Sequence, residues 1–127
     1  MIGFLIVLLG FLGWMGFNYW RLRRAATLVE NAEFASMIRG GQVIDVREPA
    51  AFREKHILGA RNIPANQIKD SLAALSKNKP ILLYDNNRGP SVTNTIFYLR
   101  KQGYRNLYLL AGGLDSWNGK IKENSNS

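Results

Sequence analysis

From Met1 to Trp20 the chain carries no Asp, Glu, Lys, Arg or His, and only Asn18 is strongly polar. Twenty helical residues at about 1.5 Å each span roughly 30 Å, the thickness of a bilayer core, so residues 2–20 read as a transmembrane helix. Ile2, Phe4, Leu5, Ile6, Val7, Leu8, Leu9, Phe11, Leu12 and Phe17 favour insertion, and four glycines and Asn18 subtract from it without reversing the balance. Beyond this run the pattern changes to short apolar segments separated by polar turns. Thr27-Leu28-Val29 can form a strand. Asn31 can cap a helix over Ala32–Arg39 in which Phe34, Met37 and Ile38 share a face, and Gly40-Gly41 stops it. Gln42–Val46 reads as a strand, Pro49 opens a short helix through Phe52, and Lys55–Ala60 is a loop before the extended Arg61–Pro64.

Ile68, Leu72 and Leu75 give a helical stripe, broken by Lys77-Asn78-Lys79-Pro80. Pro80–Leu83 is a buried strand, and Val92, Ile96 and Leu99 recur at helical spacing up to Gly103, which is placed to close that helix. Asn106–Leu110 is the last strand, Ala111-Gly112-Gly113 turns, and Leu114–Trp117 starts a short helix. Strands alternating with helices predict an α/β domain with a parallel sheet flanked by helices. Three regions follow: residues 1–24 as the transmembrane helix and its basic flank, 25–119 as the domain, and 120–127 as a flexible polar tail.

Charge sets the orientation of the anchor. Arg21, Arg23 and Arg24 follow the apolar run and no Lys or Arg precedes it, which predicts a single-pass cell-membrane protein with its N-terminus outside and its domain cytoplasmic. A cleaved signal peptide would want a basic region before the apolar core and a small-x-small site after it, and the chain has neither. The net charge is +8, and from Ala25 onward 14 Lys/Arg stand against 9 Asp/Glu, leaving +5. That mild excess suits a surface beside an anionic leaflet, and no basic stripe with interleaved aromatics points to nucleic acid. The chain has no cysteine and one histidine, so disulfides, thiolate chemistry and a multi-histidine or thiolate zinc site are excluded. No cofactor and no metal are expected. The expected partners are the bilayer, through residues 2–20, and a protein of unknown identity.

The segment Tyr84–Ser91 leads from a strand into a helix N-terminus, where loop N–H groups and the helix dipole favour anions. Its chemistry is limited by what it contains: Asp85, Asn86, Asn87, Arg88, Gly89, Pro90 and Ser91. Asp85 as an acyl-phosphate nucleophile would want a second carboxylate and a metal-supporting shell, which its neighbours do not supply. It could instead cap the loop, or sit where a bound anion would and accept two or three loop N–H bonds. Arg88 could clamp a phosphate or carboxylate, or stand free in solvent; Arg88 and Ser91 are the candidate anion-binding residues. Pro90 suits the first helical position. Gly112-Gly113 reads as a tight turn rather than a phosphate loop.

Asp45-Val46-Arg47-Glu48, Phe52, then His56-Ile57-Leu58-Gly59-Ala60-Arg61-Asn62-Ile63-Pro64, Gly103-Tyr104, Leu107–Leu110, Ala111-Gly112-Gly113 and Trp117 together resemble the rhodanese-like domain of the sulfurtransferase superfamily. The resemblance runs from about Thr27 to Trp117 and rests on the order and spacing of these motifs. It implies a small parallel sheet flanked by helices, with the active loop after the fourth strand. It also implies structural roles for Asp45, Arg47, His56, Gly59, Gly112 and Gly113. Active members carry Cys-x-x-Gly-x-Arg-Ser in that loop. Laid over this chain, the cysteine position is Asp85, the glycine Arg88, the arginine Pro90, and the serine is kept as Ser91. The resemblance and the missing thiol together lead to the expectation of a catalytically inactive sulfurtransferase fold serving as a binding or regulatory module. The alternatives are phosphoryl or arsenate chemistry on the non-cysteine loop, a sulfur relay through a partner's thiol, or a small-anion sensor.

Overall fold

A computed structural model describes residues 1–123. Five parallel strands form the sheet in the order β1 (Thr27–Val29), β6 (Leu107–Leu110), β5 (Ile81–Tyr84), β2 (Gln42–Asp45) and β4 (Arg61–Asn62). Alternation along the strands separates two cores. Ile81 and Leu83 of β5 join Ile44, Leu107 and Leu109 on one face, whereas Leu82 and Tyr84 join Val43 and Leu110 on the other. Because both faces are covered, β5 is apolar throughout, and all four of its residues are buried.

Helix α4 (Pro90–Lys101) lays Val92, Ile96 and Leu99 on the first face, beside the last turn of α1 (Ile2–Ala25). Helix α2 (Asn31–Met37) covers the second face through Phe34, which packs edge-on against both Tyr84 and Trp117. Gly103 ends α4 as expected, at φ +96°, with its N–H donating to the Arg100 carbonyl and the Tyr104 N–H donating to that of Leu99. That pair of bonds is the Schellman arrangement, which needs a residue comfortable at positive φ.

Several elements differ from the sequence expectation. α2 begins at Asn31 itself, and Asn31 does not cap it; its Nδ2 donates to the Ser116 carbonyl at 2.7 Å, across the domain. The Ile68 stripe winds as 3₁₀ turns over Ala65–Ala74, with only Ile68 buried along it, so little packing favours α geometry there. Lys55–Ile57, expected as loop, forms β3 directly after α3 (Pro49–Glu54). The flexible tail expected over residues 120–127 does not hold for Ile121–Glu123, which form β7 and pair antiparallel with β3. Opposite-charge Lys55 and Glu123 face each other in that pair, and Ile57 opposite Ile121 is fully buried. The rest of the expected tail, residues 124–127, lies outside the described residues.

α1 continues through all three arginines, and its last turn buries Leu22 and Ala25 in the core. Among its earlier residues Phe4, Ile6, Trp14 and Phe17 are all more than half exposed. The helix is long and apolar enough to cross a membrane.

Candidate functional site

The loop Asp85–Gly89 leaves the C-terminal end of β5, in the middle of the sheet, and enters α4 with Gly89 as N-cap and Pro90 in the first turn. Parallel packing brings the ends of β2 and β6 to its two sides. The position is the usual ligand-binding edge of an open α/β sheet.

On the β2 side stands the buried pair Asp45–Arg47. Arg47 Nε donates to both Asp45 oxygens at 3.0 and 3.1 Å, Nη2 donates to Oδ2 at 2.7 Å, and the Arg47 N–H donates to Oδ1 at 2.9 Å. Nη2 also reaches the Lys55 carbonyl, and Nη1 donates to Asn86 Oδ1 at 3.1 Å. Burial alone would lower the Arg47 pKa, but the hydrogen bond and charge of Asp45, with Tyr84 and Asp85 behind, raise it overall. Asn62 Nδ2 donates to the Asp45 and Arg47 carbonyls, holding the turn between them. Burial, and then the Asp45 charge, push the Tyr84 hydroxyl far above its ordinary range, and that oxygen accepts the Ile57 N–H at 3.1 Å.

On the β6 side two backbone bonds staple the loop. The Leu114 N–H donates to the Asp85 carbonyl at 2.9 Å and the Asp115 N–H to that of Asn86 at 3.0 Å. Gly113 makes this approach possible. At φ +66° it already favours glycine, and a Cβ there would lie 2.7 Å from Asn87 Cα and closer still to the Asn86 carbonyl. Beside it, a Cβ on Gly112 would come within 2.8 Å of Ser116 Cβ.

The tip residues Asn86, Asn87 and Arg88 are exposed, and Asp85 is half-buried. Asp85 Oδ1 accepts the Asn86 N–H at 2.7 Å, which is one loop N–H rather than the two or three expected of an internal anion. The reason is local: the Asp85 and Asn86 carbonyls are held by the Leu114–Ser116 turn, so the loop lies against that turn instead of curling around the carboxylate. Ser91 is exposed, and its carbonyl accepts the Thr95 hydroxyl. His56 sits apart from the loop; its Nδ1 donates to the Phe52 carbonyl at 2.7 Å and its ring stacks on Phe52. Gly59, at φ +94°, turns the chain after β3.

Two cavities flank the loop. One of about 700 Å³ is lined by Arg47, Glu54, Lys55, Asn86, Asp115 and Glu123 among others. The other, about 350 Å³, joins Arg88 to Tyr19 and Arg23 of α1 and to Glu30 and Gly112, with the Arg88 guanidinium carbon 5.9 Å from the Tyr19 ring centroid. The sequence reading missed this meeting of the loop with α1, because nothing in the spacing of residues 19 and 88 announces it. Among the described residues no three of His, Cys, Asp and Glu converge where they could hold a metal. What the loop presents is amide and guanidinium hydrogen bonding, with no thiol.

Similarity to known proteins follows the same lines. The chain is 40% identical over 120 residues to the uncharacterized protein YqhL of Bacillus subtilis (strain 168), covering 93% of each. It is 33% identical over 78 residues to the thiosulfate sulfurtransferase GlpE of Pseudomonas aeruginosa (strain LESB58), covering 61% of this chain and 70% of that one. Among solved structures, the BH2092 protein of Bacillus halodurans superposes with a TM-score of 0.68 at 26% identity, over 87% of this chain and 85% of that one. The Rhodanese-like domain model matches residues 30–120, a span that takes in the Asp45–Arg47 pair, the Asp85–Gly89 loop and the Gly112-Gly113 turn, and the chain belongs to the rhodanese-like family.

Proposed function

We propose that the chain is a membrane-anchored rhodanese-like domain that performs no persulfide-based sulfur transfer and acts as a binding or regulatory module at the cytoplasmic face of the membrane. The observation that carries this reading is the absence of cysteine anywhere in the sequence. A persulfide forms on a thiolate, and the Asp85 carboxylate, in the position the resemblance gives to the cysteine, cannot carry one. The sulfur-transfer activity named for the GlpE relative therefore does not extend to this chain. What remains at the loop is a stapled scaffold with three exposed hydrogen-bonding side chains, Asn86, Asn87 and Arg88, suited to holding a partner. The exposed apolar helix α1 supports attachment to the bilayer.

The test is thiocyanate formation from thiosulfate and cyanide by the purified full chain. Turnover no higher than that of a heat-treated control is expected, and catalytic turnover overturns the reading. Asp85→Cys alone should recover little, since Arg88 and Pro90 remain; the triple change Asp85→Cys, Arg88→Gly, Pro90→Arg is the fuller reconstruction.

A further inference from the structure

Arg21 and Arg24 of α1 and Arg100 and Lys101 of α4 converge on one groove. Burial of Leu22 and Ala25 fixes α1 against the C-terminal half of α4 and turns Arg21 and Arg24, three residues apart, to one side. The groove, about 340 Å³, is lined by these four cations with Ala25 and Phe97. The Arg21 guanidinium carbon lies 4.2 Å from the Phe97 ring centroid, and that of Arg24 4.8 Å from the Trp20 ring. All four cations are exposed. Among the described residues the one ion pair is Asp45–Arg47, so no carboxylate stands within 4 Å of any of them. Arginine and lysine at the last turn of a helix suit its dipole, which accounts for each pair separately. It does not account for two helix ends bringing four like charges around one aromatic-floored groove, which is unfavourable unless an anion lies between them.

We propose that this groove binds the phosphate of an anionic phospholipid headgroup; the inference rests on the membrane-anchored reading of α1. The apolar run ends at Trp20, immediately before Arg21, which places the groove at headgroup depth with Tyr19 and Trp20 as interfacial aromatics. Guanidinium groups take phosphate oxygens in pairs, and Lys101 adds a point charge. Trp20 and Phe97 offer apolar surface next to the charge for the start of the lipid chains. Occupancy pins the C-terminal end of α4 to the membrane, and the opposite end of α4 is the start reached by the Asp85–Gly89 loop.

The experiment uses the full chain, delipidated in a neutral detergent and titrated with short-chain phosphatidylglycerol, short-chain phosphatidylcholine or inorganic phosphate, with bound adducts counted by native mass spectrometry. Phosphatidylglycerol should bind about tenfold more tightly than phosphatidylcholine, and inorganic phosphate should leave no retained adduct. Arg100→Gln with Lys101→Gln should abolish the preference, while the equally charge-reducing pair Arg39→Gln with Arg53→Gln, both exposed and outside the elements that line the groove, should preserve it. Equal binding of the two lipids, retention of the preference by the first pair, or its loss in the second, overturns the proposal. Extraction of membrane-bound chain with alkaline carbonate separates the two readings. A chain that resists extraction but shows no lipid preference defeats only the headgroup site; a chain that is stripped defeats the anchor and the site together.

Discussion

Arg47 Nη1 stands 3.1 Å from Asn86 Oδ1, so one guanidinium joins a fully buried carboxylate, Asp45, to an exposed loop tip. The same group also donates to the Lys55 carbonyl at the start of β3. Arg47 thus ties together the end of β2, the β3–β7 pair and the candidate site. Arg47→Met keeps much of the volume but leaves the Asp45 carboxylate without its guanidinium partner in the core, at an expected cost of about 3–5 kcal/mol. Asp45→Asn added to Arg47→Met should recover part of that loss, because the orphaned charge is gone. Urea unfolding of Arg47→Met and of the double variant checks this; a double variant no more stable than Arg47→Met alone would contradict it.

Tyr84 makes stability fall at alkaline pH in a particular window. Its folded-state pKa is raised by burial and by Asp45, so the folded protein holds its proton more tightly than the unfolded chain does. The contribution is complete below the unfolded value of about 10 and is lost as pH rises above it toward the folded value. Tyr84→Phe removes this component, so its stability should decline less steeply above pH of about 10 than that of the unmodified chain. At neutral pH it should be less stable by about 1 kcal/mol, because the Ile57 N–H loses its acceptor. Melting temperatures of both forms across that window provide the comparison. Parallel curves would mean that Tyr84 ionises as freely folded as unfolded.

The fold was legible where packing repeats the sequence period. Pro80–Leu83 reads as a strand because it is apolar on both faces, where the structure has β5 over Ile81–Tyr84, and Val92, Ile96 and Leu99 read as a helix because they line one face. The loop between them follows from that alternation and from Pro90. What the sequence hid were contacts made by backbone and by distance. β7 is short and exposed along its length, so its pairing with β3 leaves no apolar signature apart from Ile121. Asn31 has the right chemistry to cap a helix, but the Ser116 carbonyl, 85 residues away, claims its amide. Asp85 reads as an internal anion only if the loop curls; the staples to Leu114 and Asp115 hold it open, and these are main-chain bonds that no side-chain pattern reveals.

Those staples make Gly113 a sensitive position. Alanine there would have to hold φ +66° and push its Cβ into the Asn86 carbonyl and Asn87 Cα, both backbone and unable to yield cheaply. Strain at positive φ costs about 1–2 kcal/mol and overpacking about 1–3 kcal/mol, so Gly113→Ala should destabilise the domain by about 3 kcal/mol. Gly40 has nothing within 4 Å of its would-be Cβ and no positive φ, so Gly40→Ala should fall within about 0.5 kcal/mol of the unmodified protein. Thermal denaturation of the two variants side by side tests the contrast, and equal stability would show that the loop moves aside at little cost.

Topology gives the last prediction. Arg21, Arg23 and Arg24 directly follow the apolar stretch, and the basic flank tends to stay on the cytoplasmic side. The absence of cysteine makes the test clean, since any introduced thiol is the sole one. Asn78 lies exposed in the polar turn before β5, far along the chain from α1, so Asn78→Cys should not disturb the fold. In intact cells a membrane-impermeant maleimide should leave this cysteine unlabelled, and the same reagent should label it once the membrane is permeabilised. The mature chain should also retain the residues of α1, since no small-x-small cleavage site follows the apolar run. Labelling in intact cells would place the domain, and with it the exposed Asn86–Arg88 tip, on the outer side. A mature N-terminus near Ala25 would show instead that α1 is a removed leader, and would take the Tyr19–Arg88 contact out of the working protein.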